Sequence, residues 1–334
     1  TQEQRGPLES VVAYDLRLGS ELWAYGDSTR FATLGMGIGP RATPAVDEDR
    51  VYALGATGWL RCLSLQDGGK LLWRRQVQAE PGADAPAQAL WATPLLLADV
   101  VVVTAGMGQP LQAFDRLTGA PRWQADTPGG DGAPVLVSTA GLPLVVVGGQ
   151  AGASGHEPGS GISLWQVSWP ASSTVAPKPV PLPRGRVLLG GGSAGIRAFE
   201  VKRLLGSSGF TASLLWRAPQ LRTSLSAVVG ADGSLYGLDD GRLVCVDSAT
   251  GFRRWQATRY GQGRVLLAGA LLLVQSEDGT VALVARSAEA FQERMRFRAL
   301  ETQRAWAEPL LHDRWLLVRG PDQAALWELP LLDD

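Results

Sequence analysis

The 334-residue chain contains no asparagine, two cysteines, two histidines and three methionines. With only His156 and His312 to draw on, and Glu157 as the one carboxylate beside His156, no histidine-based metal site or catalytic triad is written in the sequence. No sign of charge dominates either. The 31 basic and 32 acidic residues are scattered and leave a formal net charge of −1, so the electrostatic footprint of a nucleic-acid binder is missing. Apolar runs such as residues 265–274 fall well short of the ~18–20 residues that a membrane-spanning helix takes. No long amphipathic helix is apparent. The chain begins with neither methionine nor a signal peptide, and reads as a fragment or processed product.

What the sequence has instead is glycine (41), proline (21), tryptophan (12) and a repeat. Val12-Ala-Tyr-Asp15-Leu-Arg-Leu-Gly19-Ser-Glu-Leu-Trp23 returns as Leu111-Gln-Ala-Phe-Asp115-Arg-Leu-Thr118-Gly119-Ala-Pro-Arg-Trp123, and again as Asp247-Ser-Ala-Thr250-Gly251-Phe-Arg-Arg-Trp255. An apolar run ends in Asp, Gly follows four residues later, and Trp four after that. An Asp at a strand end accepts hydrogen bonds from the following turn, Thr does so more weakly, and Gly takes the positive φ that the turn needs. The unit is therefore a hairpin whose Trp, on the second strand, belongs in a seam between sheets. Looser copies run from Cys62 through Gly68-Gly69 to Trp73, and from Ala198 to Trp216. A period of about 40–50 residues with four strand-like segments each is the signature of a β-propeller.

The pattern Asp-x-x-Thr-Gly-x-x-x-Trp resembles the tryptophan-docking repeat of the PQQ-type, quinoprotein-like β-propellers, and the resemblance covers nearly the whole chain. It implies an all-β, eight-bladed β-propeller of four-stranded antiparallel blades, forming a single domain over residues 1–334. The same family holds PQQ-dependent alcohol dehydrogenases and BamB, the propeller lipoprotein of the outer-membrane β-barrel assembly machinery. The sequence looks similar to the extracytoplasmic members of bacteria with PQQ-binding-like repeats.

With strands A to D running from axis to rim, the first blade reads as B 1–5, C 11–16 and D 21–25, with no strand A. The second is 42–46, 50–54, 59–65 and 71–77; the third is 91–97, 100–105, 111–115 and 121–126. The fourth starts at 134–138 and 144–148, then carries the polar, Gly-rich 150–161, read as an inserted loop. Its third strand is 162–167, and its outer strand dissolves into 172–183. The fifth blade is 180–182, 186–190, 196–201 and 214–217; the sixth is 226–230, 234–238, 242–247 and 253–258. The seventh is 264–268, 271–276, 280–285 and 294–298, with Met295 or Phe297 where Trp is missing. The eighth is 307–311, 315–319 and 324–329, without strand D. A ring missing its first strand A and its last strand D is expected to be incomplete at the N-terminus, closed by strands upstream of Thr1 and less stable without them. Cys62 and Cys245 fall at equivalent strand positions of different repeats, too far apart for a disulfide and readable as small core residues.

Family members place ligands on the loops that join strand D to the next strand A and on the B–C loops. Carried over to this chain, that singles out Arg30 and Arg41 in the 27–41 loop, Trp91 ahead of the third blade, and Trp59 in a neighbouring turn. The arginines are candidates for an anion and the tryptophans for a flat ligand. Turn, rim and seam roles are the plainer reading of the same residues. His156 and Glu157 in the 150–161 loop are candidate ligand or partner contacts, although an exposed loop histidine is the simpler reading; His312-Asp313 reads as a turn. Gly191-Gly-Ser193-Ala-Gly195 has the spacing of a hydrolase nucleophile elbow, but a strand follows where a helix is needed, so it reads as a B–C turn. The dehydrogenases of the family hold calcium through carboxylate and amide oxygens and often carry adjacent cysteines over the quinone; this chain has neither asparagine nor a Cys pair. The expectation is a non-catalytic, extracytoplasmic propeller, without metal or cofactor, that binds or scaffolds a protein partner. A degenerate PQQ- and calcium-dependent dehydrogenase, or a small-ligand or glycan sensor, is the alternative.

Overall fold

In a computed structural model the described residues are 1–33, 37–77, 92–106, 110–128, 132–139, 141–170, 178–191, 195–204, 206, 209–219, 221–222, 228–302 and 304–330. They form strands and turns without a helix. The fold is an eight-bladed β-propeller built from successive antiparallel sheets.

The first sheet is β1 (Gln2–Arg5), β2 (Leu8–Tyr14) and β3 (Glu21–Ser28), followed by a short hairpin of β4 (Ala32–Thr33) and β5 (Gly37–Ile38). The second is β6 (Ala45–Asp47), β7 (Arg50–Leu54), β8 (Trp59–Ser64) and β9 (Leu71–Gln76). The third is β10 (Leu95–Leu96), β11 (Val100–Thr104), β12 (Leu111–Asp115) and β13 (Pro121–Ala125). The fourth is β14 (Val135–Thr139), β15 (Leu142–Gly148), β16 (Gly152–His156) and β17 (Ser163–Ser168). The fifth is β18 (Val180–Leu182), β19 (Arg186–Gly190), β20 (Ile196–Arg203) and β21 (Phe210–Ala218). The sixth is β22 (Val229–Ala231), β23 (Ser234–Asp239), β24 (Arg242–Asp247) and β25 (Arg253–Arg259). The seventh is β26 (Gly263–Ala268), β27 (Leu271–Ser276), β28 (Thr280–Ala285) and β29 (Glu293–Arg298). The eighth is β30 (Leu310–His312), β31 (Trp315–Arg319) and β32 (Ala324–Glu328). Among the described residues the first and eighth sheets thus show three strands and the other six show four.

The chain divides into two compact units, Thr1–Gly185 with Val201–Ala212, and Arg186–Glu200 with Ser213–Asp334. In the first unit the core lies between successive sheets. Tyr52, Leu54, Leu60 and Cys62 of the second sheet meet Val101, Val103 and Phe114 of the third. Val102 and Leu111 of the third meet Val145 and Val147 of the fourth. In the second unit Tyr236, Leu243 and Cys245 meet Leu272, Val274 and Val284 in the same way. The middle strands are therefore apolar on both faces, as in Val100–Thr104, where all five residues are buried. Each fully buried Val, Leu or Phe contributes about 1.5–3 kcal/mol. The fourth strands face a neighbour on one side only, and alternate: Glu21–Ser28 is half-buried at every second residue from Trp23 on.

One local device recurs. The ladder between third and fourth strands slips at the pairs next to the turn: between Ala13 and Tyr14, Cys62 and Leu63, Ala113 and Phe114, Gly155 and His156, Cys245 and Val246, and Leu283 and Val284. The residue just before the slip pairs with the Trp: Ala13 with Trp23, Cys62 with Trp73, Ala113 with Trp123, Gly155 with Trp165, Cys245 with Trp255. Each is small, because an indole lies over it. Where Met295 replaces the Trp, its partner is Leu283. Both cysteines are free and buried, and both fill this slot.

The fourth sheet corrects the sequence reading. Residues 150–161 are not an inserted loop: Gly152–His156 is the third strand, wholly buried, and Ser163–Ser168 is the fourth. Its glycines are needed because the Trp165 ring occupies the space where a Cβ of Gly155 would stand, and the Val167 carbonyl that of Gly152. Its polar side chains are satisfied internally, since His156 Nε2 lies 2.8 Å from Ser154 Oγ and His156 Nδ1 lies 3.0 Å from Gly161 O. The outer strand is thus not in 172–183, of which 172–177 lie outside the described residues, but in Ser163–Ser168.

Candidate functional site

Sequence candidates meet the structure at two places in the first unit. His156 and Glu157 sit at the turn between β16 and β17, and neither is a free loop side chain. His156 is fully buried, and burial pushes its imidazole below the ordinary value. Its Nδ1–H donates to the Gly161 carbonyl, so Nε2 accepts from the Ser154 hydroxyl. This Ser–His pair is sealed from solvent and built into a strand, which suits packing and leaves no approach for a substrate. Glu157 Oε1 accepts from Gly159 N at 3.0 Å and Oε2 from Ser160 N at 2.6 Å. Hydrogen bonds from Ser160 and Gly159 hold its carboxyl below the usual range.

Glu157 is thus the fourth copy of the repeat's aspartate, with Gly161 and Trp165 at the right spacing. Sequence reasoning missed it because Glu stood for Asp and Pro158-Gly159-Ser160 obscured the turn. The other copies bond alike: Asp15 Oδ1 accepts from Arg17 N and Leu18 N, Asp115 Oδ1 from Leu117 N, Thr118 N and Thr118 Oγ1, and Asp247 Oδ1 from Ala249 N, Thr250 N and Thr250 Oγ1. The hydrogen bond from Arg254, helped by those from Thr250 and Ala249, lowers the Asp247 carboxyl to about 2. Gly19, Gly119 and Gly251 donate to the carbonyls of Asp15, Asp115 and Asp247. The rings of Trp23, Trp73 and Trp123 lie against Gly69, Gly119 and Gly161 in the first unit, and Trp216 lies against Gly251 in the second. The indole nitrogens of Trp73, Trp123, Trp216 and Trp255 donate to the carbonyls of Arg116, Pro158, Ser248 and Ser287.

The second place is the loop end of the first two blades, where β3 leaves toward β6 and where β7 turns into β8. Arg61, the third residue of β8, is 2% exposed and is surrounded by carboxylates from the first sheet. Its Nη1 lies 3.3 Å from Glu9 Oε1 of β2, and its Nε bonds Asp27 Oδ2 of β3. Nη1 also donates to Trp59 O, while Nη2 has no acceptor among the described residues. Glu9 Oε2 accepts from Ala56 N at 3.0 Å, and Tyr25 OH donates to Asp27 Oδ1 at 3.0 Å. A Cβ on Gly55 would collide with both the Glu9 carboxylate and the Arg61 guanidinium, which is why the turn before β8 carries glycine there. The sequence held one signal of this cluster: a charge inside the apolar run Leu60-Arg61-Cys62-Leu63.

Of the predicted candidates, Trp59 adjoins this cluster, its carbonyl accepting from Arg61 Nη1. Trp59 is half-buried, with the Arg74 guanidinium 4.7 Å over its ring. Arg74 Nη1 stands 3.8 Å from Asp27 Oδ1. Arg30 is exposed. Its neighbour Phe31 is buried against Ala56 of the β7–β8 turn. Arg41 is half-buried, and burial lowers its pKa. The segment is tied back to β1 by Gln4 Nε2 to Thr29 O at 3.1 Å and Gln2 Nε2 to Ala42 O at 2.6 Å. Trp91 and most of the Gly191–Gly195 turn lie outside the described residues. His312 ends β30 and is exposed beside Asp313. Among the described residues no three His, Cys, Asp or Glu side chains gather as a metal site.

Solved structures share this fold. BamB from Moraxella catarrhalis is 16% identical with a TM-score of 0.68, over 100% of this chain and 95% of that one. Sqt1 from Saccharomyces cerevisiae is 10% identical with a TM-score of 0.69, over 97% and 91%. The quinohemoprotein alcohol dehydrogenase ADHIIG from Pseudomonas putida is 15% identical with a TM-score of 0.64, over 94% of this chain and 67% of that one. No curated protein matches in sequence. A family match does extend over residues 8–256 and again over 151–314. On that match the chain belongs to the PQQ-like propeller family described as outer membrane protein assembly factor BamB.

Proposed function

We propose that the protein is a non-catalytic, extracytoplasmic binding module that presents the loop end of its blades to a protein partner. The observation that carries this reading is family membership: the family is described by a role in assembling outer membrane proteins. A rigid scaffold with exposed connecting segments suits recognition, although fold alone does not fix function. The Trp–Gly contacts support reading the repeat as the unit that joins blade to blade. We take the chain as one domain without a resident cofactor.

The dehydrogenase reading has less support. Calcium is a hard cation that takes six to eight oxygen ligands. Among the described residues, Glu9 and Asp27 at the loop end are already committed to Arg61. Calorimetric titration of PQQ, with and without calcium, is expected to give no saturable heat. Calcium-dependent binding that disappears in Arg41→Ala would overturn the proposal in favour of the enzyme. Cross-linking of the tagged protein in cell envelopes, followed by mass spectrometry, is expected to return a reproducible protein partner.

A further inference from the structure

We propose that the outer edge of β3 takes up an extended segment of a partner protein as a further strand, one whose alternate side chains are bulky and apolar. The inference goes beyond the loop end named above, since it places a contact on the edge of the first sheet.

The argument is one of backbone groups left open and unguarded. β3 ends the order β1–β2–β3. Val12 of β2 spends both its main-chain groups on Thr1, its N–H donating at 2.9 Å and its carbonyl accepting at 2.7 Å. Hydrogen-bonded residues alternate along an antiparallel ladder, so Ala24, which stands opposite Val12, turns its N–H and C=O outward. Gly26 and Ser28 follow at the same spacing, and the Thr29 N–H, donating inward to Pro7 O, keeps the phase. Among the described residues no hydrogen bond reaches these outward groups.

Open edges are ordinarily blunted by charged side chains or by short strands. At the residue after the docking tryptophan, or after Met295 in its place, the other fourth strands carry a long polar side chain: Arg74, Gln124, Gln166, Arg217, Gln256 and Arg296. The first sheet carries Ala24 there, and its next outward residue is Gly26. β3 is also eight residues long, against five to seven in β9, β13, β17, β25 and β29.

The side chains define the occupant. Leu22, Ala24, Gly26 and Ser28 are exposed and uncharged. Leu8, opposite Ser28, reaches to 3.3 Å from where a Cβ of Gly26 would stand. The face beside the edge is therefore shallow between two leucines, Leu22 at 63% and Leu8 at 39% exposure. Bulky apolar side chains opposite Ala24 and Gly26 would cover it, and such cross-strand pairs are what stabilise an added strand. A second copy of β3 fits less well, because it would set small residues against small ones. A charged segment finds no opposite charge among these four side chains.

The test is fluorescence anisotropy with a labelled peptide of four valine–threonine repeats between lysine pairs, its glycine–serine counterpart, and two forms N-methylated at every valine or at every threonine. Each methylated form blocks one edge of the peptide. The parent peptide and one methylated form are expected to bind, and the other form and the glycine–serine peptide are not. Ala24→Pro removes a donor unused within the described residues, a change that edge strands accept, and is expected to weaken binding about tenfold or more. Ala24→Arg, which gives β3 the residue found on β9, should weaken it as well, with the melting temperature confirming a folded protein. Gln124→Pro on β13 should leave it unchanged. Equal binding of the two methylated forms or of the glycine–serine peptide, unchanged affinity in both Ala24 variants, or a sedimenting dimer that Ala24→Arg abolishes overturns the inference. Cross-linking separates the two proposals. A partner captured equally by wild type and Ala24→Arg keeps the binding-module reading and removes this edge. Ala24-dependent peptide binding without any captured partner does the reverse.

Discussion

Arg61 shows what one side chain can hold together. A guanidinium that is 2% exposed survives only because Glu9 and Asp27 neutralise it and Gly55 leaves room. Removing one member of a buried ion cluster strands the others, which typically costs ~3–5 kcal/mol. Arg61→Ala is therefore expected to lose about that much in urea denaturation, while Arg30→Ala stays within about 0.5 kcal/mol. His156 makes a second prediction at this scale. Burial holds its folded pKa below 6.5, so the unfolded chain takes up a proton first as the solution is acidified. The contribution of this residue to stability is complete above about pH 6.5 and declines below it, toward the folded pKa. Melting temperatures between about pH 7.5 and 5.5 should fall more steeply for wild type than for His156→Gln. Equal slopes would remove His156 from the account.

At the level of the element, the turn between third and fourth strands is where local and long-range requirements meet. Gly19 and Gly119 both have positive φ, 65° and 70°. A Cβ at Gly19 meets nothing within 4 Å, whereas one at Gly119 runs into the Trp73 ring of the preceding blade. Gly19→Ala should thus cost only the backbone term of ~1–2 kcal/mol. Gly119→Ala should cost measurably more by chemical denaturation, and the difference isolates the contact between blades. This turn was also the most legible part of the sequence, because Asp, Gly and Trp each have a separate physical job at a fixed spacing. Glu157-Gly161-Trp165 escaped notice because a longer carboxylate bonds the same turn through two oxygens instead of one. The strand Gly152–His156 escaped for another reason. Its small residues mirror an indole on the next strand, and that complementarity cannot be seen in Gly-Ala-Ser-Gly taken alone. The cluster around Arg61 was hidden because its members are 52 positions apart along the chain, from Glu9 to Arg61. The loop candidates, Arg30 and Arg41, were found by their place in a loop and not by their contacts.

For the whole molecule, the single-domain reading predicts one calorimetric transition on heating; two resolved transitions would divide the chain along its two compact units. The slot opposite each tryptophan supplies the means to follow this without a designed probe. Cys62 lies in that slot in the first unit and Cys245 in the second, both fully buried, and burial pushes both thiols up. Thiolates are the reactive form, so both sulfurs are doubly shielded in the closed blade. The two buried thiols thereby become a pair of clocks. The rate at which each takes up an alkylating reagent times the opening of its own blade, and a mass spectrometer reads the two separately in one sample.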